Sequence, residues 1–282
     1  MKDLLYRKIK DRVAFVLIVI LAVFPLVPLF HILFGVMKQG ISSLSWEFFT
    51  HLPRPPGEEG GGVGNAIVGT LMLAFKASLL AVPLGVLCGV YLSEYSRGRF
   101  GEVVRISADV LQGVPSIVLG IVAYLWVVKP MGHFSAFSGS VALAIMMLPV
   151  IVRSTEEILR MIPETLREAS LALGVNYWRT VVKVVIPTGL VGITTGILLS
   201  LARIMGETAP LLFTAFGNPF WNLNPMQPVE ALPLVVFKYA ISPYEEWIRQ
   251  AWGASLVLTA LVLILNLSAR LLARRMGGGH GR

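Results

Sequence analysis

ETLREASLALGVNYWRTVVKVVIP, residues 164–187, is a polar interruption between two apolar runs of this chain. It carries helical punctuation. Pro163 suits a first helical position, because its missing N–H is an orphan there in any case. Leu166, Ala169 and Leu173 then fall on one face at helical spacing. Gly174 supplies the positive φ that stops a helix. Asn176 suits the N-cap of a second short helix over residues 177–186, which Pro187 is expected to end. The stretch therefore reads as helix, glycine bend, helix, hung between membrane spans. Spacing leaves two readings open: a solvated loop with helical character, or a knob that docks on another protein.

The rest of the chain places this stretch. Of 282 residues 55% are hydrophobic and 14% are charged, and mean hydropathy is +0.74. Soluble domains carry about 25% charged residues, so the chain is read as an all-α integral membrane protein. Cys88 is the single cysteine, so no intrachain disulfide and no cysteine-based metal site can form. His31, His51, His133 and His280 are scattered with no pair at i, i+4, and no metal site is expected.

Six apolar runs are read as spans: residues 13–37, 66–92, 104–128, 139–152 (a short run, to be extended at its ends), 188–216 and 251–272. A cleaved signal peptide does not explain the first, which is too long and lacks a small-x-small site. Pro25 and Pro28 predict a kink in it. The third run is interrupted at its start by Asp109, Gln112, Gly113 and Pro115, and its GVPS sequence (113–116) marks a break or kink. The Pro- and Gly-rich residues 38–65 are expected to be mostly irregular. Within the Pro-, Trp- and Asn-rich 217–250, residues 232–239 are read as a short interfacial helix. The organisation is an N-terminal arm, first span and loop (1–65), a core (66–272) with a coupling loop at 163–187, and a disordered tail (273–282).

Six spans leave both termini on one side. Seventeen of the 24 Lys and Arg residues then share that side with residues 164–187 and five lie opposite, with Lys76 and Arg203 inside spans. The positive-inside rule makes the richer side cytoplasmic.

The chain has no GxxxxGK[ST] loop to cradle a nucleotide, and no GxSxG or HExxH motif. ATP-driven work would need a second protein, and no catalytic residue is expected. The fifth run holds Arg203 and Glu207, each costing roughly 2.5–3.5 kcal/mol near a bilayer centre. Their i, i+4 spacing would put them on one helix face, able to pair. That face continues through Gly192, Gly196 and Ser200, while Ile193, Ile197, Leu201 and Ile204 make an oily opposite face. Two roles fit the pair. It neutralises itself and pins helix packing, or Arg203 meets a passing anion, which its planar fork can bind bidentately. Lys76 is either a pathway contact or a snorkelling or packing residue, and Asp109 is expected to pair with an Arg.

Glu168-Ala-Ser-Leu-Ala-Leu-Gly174, nine further residues, then Val184-Val-Ile-Pro187 resembles the EAA loop of binding-protein-dependent ABC importer permeases (EAA, three residues, G, nine residues, I-x-L-P). Ser170, Val184 and Ile186 depart mildly from the pattern. LARIMGETAPLLFTAF (201–216), MMLPVIVRSTEEILRMIP (146–163), LPRPPGEEGGGVGNAIVGTL (52–71) and GVPSIVLGI (113–121) resemble the phosphate branch of that family. The resemblance implies a type I importer (MetI-like) fold in a prokaryotic inner membrane. It implies a second permease subunit as heterodimer partner, two ATPase subunits that use ATP and Mg, and an extracytoplasmic phosphate-binding protein. It also implies a substrate path at Arg203, Glu207 and Thr208, and ATPase coupling through Glu168, Ala169, Ser170, Leu173 and Gly174. A permease for sulfate or molybdate is the alternative within the family; a stand-alone secondary transporter is the alternative outside it. Surrounding lipid is the remaining partner, and no nucleic acid is expected.

Overall fold

A backbone in lipid must satisfy its own hydrogen bonds, and the apolar runs here are helical. The computed structural model describes residues 2–96 and 98–277. Helix α1 is Lys2–Val23 and α2 is Leu26–Ile41, together the first span, broken at Phe24 and Pro25. Pro28, near the start of α2, leaves that helix unbroken. A short helix α3 (Trp46–Thr50), capped by Ser45, interrupts the otherwise irregular loop that follows. Helix α4 (Gly64–Val90) continues through a π-helical turn, Tyr91–Tyr95.

The third apolar run is not one straight helix. Helix α5 (Arg99–Gly113) ends where Val114 turns extended ahead of Pro115, and the helical stretch Ser116–Met131 leaves at 107° to it. A residue before proline is pushed out of the α region, so the GVPS break is a sharp corner rather than a kink. The second arm comprises α6 (Ser116–Ala123), the π turn Tyr124–Val128 and α7 (Lys129–Met131). Its 16 residues rise only about 24 Å.

Helix α8 (Ala136–Arg160) overruns residues 139–152 at both ends. The Ser135–Ser138 capping box starts it. The loop that follows holds α9 (Glu164–Ala172) and α10 (Tyr177–Thr180). Pro187 does not end the second of these. The chain passes through a π turn, Val181–Val185, closed by the Ile186 N–H on the Val181 carbonyl, straight into α11 (Ile186–Ile204). Proline cannot donate to the helix ladder and its ring crowds the carbonyl four residues back. The wider turn just before it changes the register, and the helix continues.

A one-turn helix α12 (Ala209–Leu212), a loop, α13 (Leu232–Ala240) and α14 (Glu245–Gly277) complete the chain. Among the described residues five helices are long and apolar enough to cross a membrane, six when the α5 corner and its second arm count as one span. Helix α13 exists as expected but is not a surface helix. Leu232, Leu234 and Val235 are buried and it packs on α4 and α14. Helix α14 extends through Gly277, so residues 273–277 of the expected disordered tail are helical; residues 278–282 lie outside the described residues.

The core forms where α4 and α8 lie against each other. Ala77 and Ala81 face Leu143, Met147 and Ile151, all essentially buried. The oily face of α11 belongs to this interior rather than to lipid. Ile193 and Ile204 are buried, and Ile197 and Leu201 pack against the core clusters. The small-residue face is covered by α8. A Cβ on Gly192 would stand 2.7 Å from Ile158, and one on Gly196 would stand 2.5 Å from Ser154 Oγ.

The loop before α13 is sewn to the helix ends. Ser138 Oγ donates to the Thr214 carbonyl, the Ala136 N–H to Gln227, and Asn65 Nδ2 to Asn218. Phe216 adopts φ +63°. Its ring stacks on Phe134 at 4.6 Å, and Lys238 Nζ donates to its carbonyl at 3.2 Å. Lys238 also meets the buried Glu230 at 3.2 Å. Burial pushes the Glu230 carboxyl above the usual carboxylate range, with Lys238 pulling the other way.

Candidate functional site

Helix α9 divides its residues between two faces. Glu168, Ala169 and Leu173 are exposed, Leu173 at 84%. Leu171 and Trp178 add exposed apolar surface around the tip, and Arg179 lies over the Trp178 ring at 5.2 Å. Gly174 holds φ +77°, with its N–H on the Leu171 carbonyl and the next N–H on Ser170. The glycine stop is therefore where periodicity put it. Asn176 occupies the N-cap of α10 without a side-chain bond; its carbonyl accepts from Arg179 and Thr180. Ser170 faces inward, where its hydroxyl meets that of Thr180 at 2.9 Å with both residues buried. The departure from the EAA pattern at Ser170 thus ties α9 to α10.

Two buried carboxylates at the root of this loop were not visible in the sequence. Glu94, in the π turn that ends α4, accepts Arg167 Nε at 3.0 Å and Arg167 Nη2 at 2.7 Å. It also accepts Tyr177 Oη at 3.1 Å and Ser93 Oγ at 2.8 Å. Arg167 donates its remaining N–H groups to the carbonyls of Ile162 and Leu159. The Glu94 carboxylate holds the Arg167 guanidinium above its ordinary range. Glu156, fully buried on α8, accepts from Arg105, Arg153 and Arg160. Arg153 also reaches Asp109 at 3.0 Å, the pairing expected for that aspartate. The only sequence signal for Glu156 is local: Arg153 stands three residues before it and Arg160 four after. Glu94 and Arg167 are 73 residues apart, and no periodicity joins them.

Arg203, Glu207 and Thr208 lie on the turn between α11 and α12. Arg203 is in the last turn of α11, but the helix ends at Ile204, so Glu207 is not on its face. Met205 and Gly206 follow, and the Gly206 and Glu207 N–H groups close turns on the Arg203 and Ile204 carbonyls. The expected i, i+4 pair does not form; among the described residues neither side chain is in an ion pair. Helix α8 covers the face below, as far as the Ser200 hydroxyl on the Met147 carbonyl at 3.4 Å. One turn later Arg203 is exposed. Glu207 and Thr208 are half-buried, and the Thr208 carbonyl accepts from Leu211 and Leu212 to start α12. Lys76 on α4 is half-buried and likewise without an ion pair among the described residues. The site thus offers a guanidinium without an ion pair among the described residues at the end of a membrane span, and an apolar knob on the loop at that span's other end.

Residues 81–278 match the family described as binding-protein-dependent transport system inner membrane component. The chain is 43% identical to the phosphate transport system permease protein PstA of Yersinia pestis, over 95% of this chain and 91% of that one. It is 41% identical to the phosphate transport system permease protein PstA 1 of Mycobacterium tuberculosis, over 95% and 89%. Among solved structures, an inward-facing MetNI methionine ABC transporter aligns with TM-score 0.60 at 22% identity, over 76% of this chain and 94% of that one. A bacterial ABC transporter that imports the acidic polysaccharide alginate aligns with TM-score 0.64 at 12% identity, over 96% and 98%. These establish a type I importer permease fold in a multi-pass membrane protein. The chain belongs to the binding-protein-dependent transport system inner membrane components and, within them, to the PstA permeases.

Proposed function

We propose that the chain is the permease subunit of an ATP-driven phosphate importer in a prokaryotic inner membrane, a transport subunit and not an enzyme. The observation that carries this reading is the exposed guanidinium of Arg203 at the end of α11, in no ion pair among the described residues. A charge at that position is costly unless it meets a partner. The PstA relatives name phosphate as the anion that would supply one. In this reading residues 66–272 form the transport core, and a PstC-type permease subunit closes the path against Arg203, Glu207 and Thr208. Two PstB-type ATPases use ATP and Mg in the cytoplasm and seat the α9 knob, with Glu168, Ala169, Ser170, Leu173 and Gly174 at the contact or shaping it. An extracytoplasmic phosphate-binding protein delivers substrate.

ATP closes the ATPase pair, α9 carries that motion into the spans, and the spans rock between outward- and inward-facing states. Arg203 offsets the charge of phosphate on its way through. A strong cation site would trap the anion, and Glu207, four residues on, weakens it. The test is reconstitution in liposomes. The permease pair with ATPases and binding protein takes up phosphate on ATP addition, and this chain alone takes up none. Uptake by the chain alone would make it a secondary transporter; uptake of sulfate or molybdate in place of phosphate would change the substrate.

Two further results are expected. Glu207→Gln keeps the side chain's size and loses its charge, so uptake falls only severalfold, less than for loss of Arg203. The opposite order would make Glu207 a proton acceptor. Gly174→Val meets no steric obstacle, since nothing lies within 4 Å of a Cβ there. Its penalty is the left-handed backbone, about 1–2 kcal/mol and worst for β-branched side chains. Relief of that strain swings α9 against α10. Phosphate moved per ATP falls, and Gly174→Asn, which tolerates that backbone, falls less. Equal behaviour of the two variants counts against a conformational role.

A further inference from the structure

The coupling loop is joined by covalent chain to α8 and, through α10, to α11. Nothing in chain order connects it to α4. The buried ion pair does. Glu94 sits in the π turn that ends α4, with its side chain almost wholly out of solvent, and the guanidinium of Arg167 on α9 grips it with two N–H groups at 3.0 and 2.7 Å. The other N–H groups of Arg167 hold the Ile162 and Leu159 carbonyls at the end of α8. Tyr177, at the start of α10, donates to the same carboxylate, and its ring meets Tyr95 edge-on at 5.6 Å. Four elements thus converge on one carboxylate.

The linkage continues. Arg105 Nη2 on α5 donates to the Leu92 carbonyl in the same π turn, while its Nε binds Glu156 on α8. Helix α9 therefore presents opposite functions on opposite faces. Leu166, Ala169 and Leu173 point outward, and Arg167 with Ser170 points inward to fixed partners. A bidentate, buried pair resists sliding in a way a single point charge does not. A π turn is moreover an interruption at which a helix end can shift register.

We propose that the Glu94–Arg167 pair is the joint through which the coupling helix drives α4, making Arg167, Glu94 and Tyr177 positioning residues for transport. The proposal rests on the importer reading above. Loosening this joint uncouples hydrolysis from transport, because the knob still docks while its motion is no longer handed to the span.

The test uses the whole complex in liposomes, with phosphate uptake and ATP hydrolysis measured in the same vesicles and the ratio taken. Arg167→Lys keeps the charge but loses the fork and at least one carbonyl bond, so phosphate moved per ATP falls about tenfold. ATPase subunits still co-purify. Tyr177→Phe removes one hydroxyl and leaves the pair, so the ratio falls about two- to fivefold, the equivalent of one hydrogen bond. A wild-type ratio in Arg167→Lys overturns the proposal. So does a parallel fall of uptake and hydrolysis, which marks a merely structural role. If Arg167→Lys does not assemble, Tyr177→Phe decides, and an unchanged ratio there overturns it. Failure of the wild-type complex to take up phosphate on ATP addition would instead strike the importer reading itself.

Discussion

Arg203→Ala abolishes phosphate uptake to within about a hundredth of the wild-type rate, while the permease still folds and assembles. The magnitude follows from the charge that Arg203 supplies. An anion crossing without a countercharge faces about the cost of one charge inside the bilayer, roughly 2.5–3.5 kcal/mol, or on the order of a hundredfold in rate. Assembly survives because the side chain is exposed and in no ion pair among the described residues, so its removal leaves no carboxylate stranded. Surface changes of that kind stay within about 0.5 kcal/mol. Arg203→Lys restores charge but not the bidentate fork and recovers part of the rate. Uptake, co-purification of the partner subunits and thermal stability, measured together, decide it. Wild-type uptake in Arg203→Ala removes Arg203 from the path; loss of co-purification makes its role structural.

The spans were legible because lipid imposes a crude rule: about 20 apolar residues, helical. Gly174 was legible because a helix stop with positive φ has a residue that suits it, and the structure has φ +77° there. What periodicity could not supply was the place where a helix yields. Pro187 looked like an end, but a π turn lets α11 run through it. Pro115 left a break or a kink open, and it is a break that turns the chain by 107°. Arg203 and Glu207 looked like a pair because i, i+4 spacing presumes an unbroken helix, and the helix stops at Ile204 between them. The oily face of α11 shows the same limit, because a pattern of apolar residues does not say whether lipid or protein covers it. Ile193 and Ile204 are in fact buried. Glu94 carried no pattern at all, and Glu156 only its local Arg153 and Arg160. Under the packed loop Glu94 takes its arginine from 73 residues away, and spacing is blind to that.

The apolar tip of the coupling loop carries the second large effect. Leu173 is 84% exposed beside the Gly174 turn, with Leu171 and Trp178 exposed around it. An isolated chain gains nothing by displaying such a surface; a chain that seats it in an ATPase cleft recovers about 1.5–3 kcal/mol for one leucine. Leu173→Ala therefore weakens ATPase binding roughly tenfold to a hundredfold. Leu173→Asp does more, because an aspartate carried into an apolar cleft must also shed its water, at several kcal/mol when unpaired. The ATPase subunits no longer co-purify with the tagged permease, and ATP-dependent uptake is lost with them. The permease itself stays stable, since the leucine makes little contact within the chain. This outcome differs in kind from that expected at Arg167, where the ATPase stays bound and hydrolyses ATP without moving phosphate. It differs again from Arg203→Ala, where every coupling contact is intact and only the path is closed to the anion. Stoichiometric co-purification with Leu173→Asp would show that the knob is not the docking element, whatever the uptake rate.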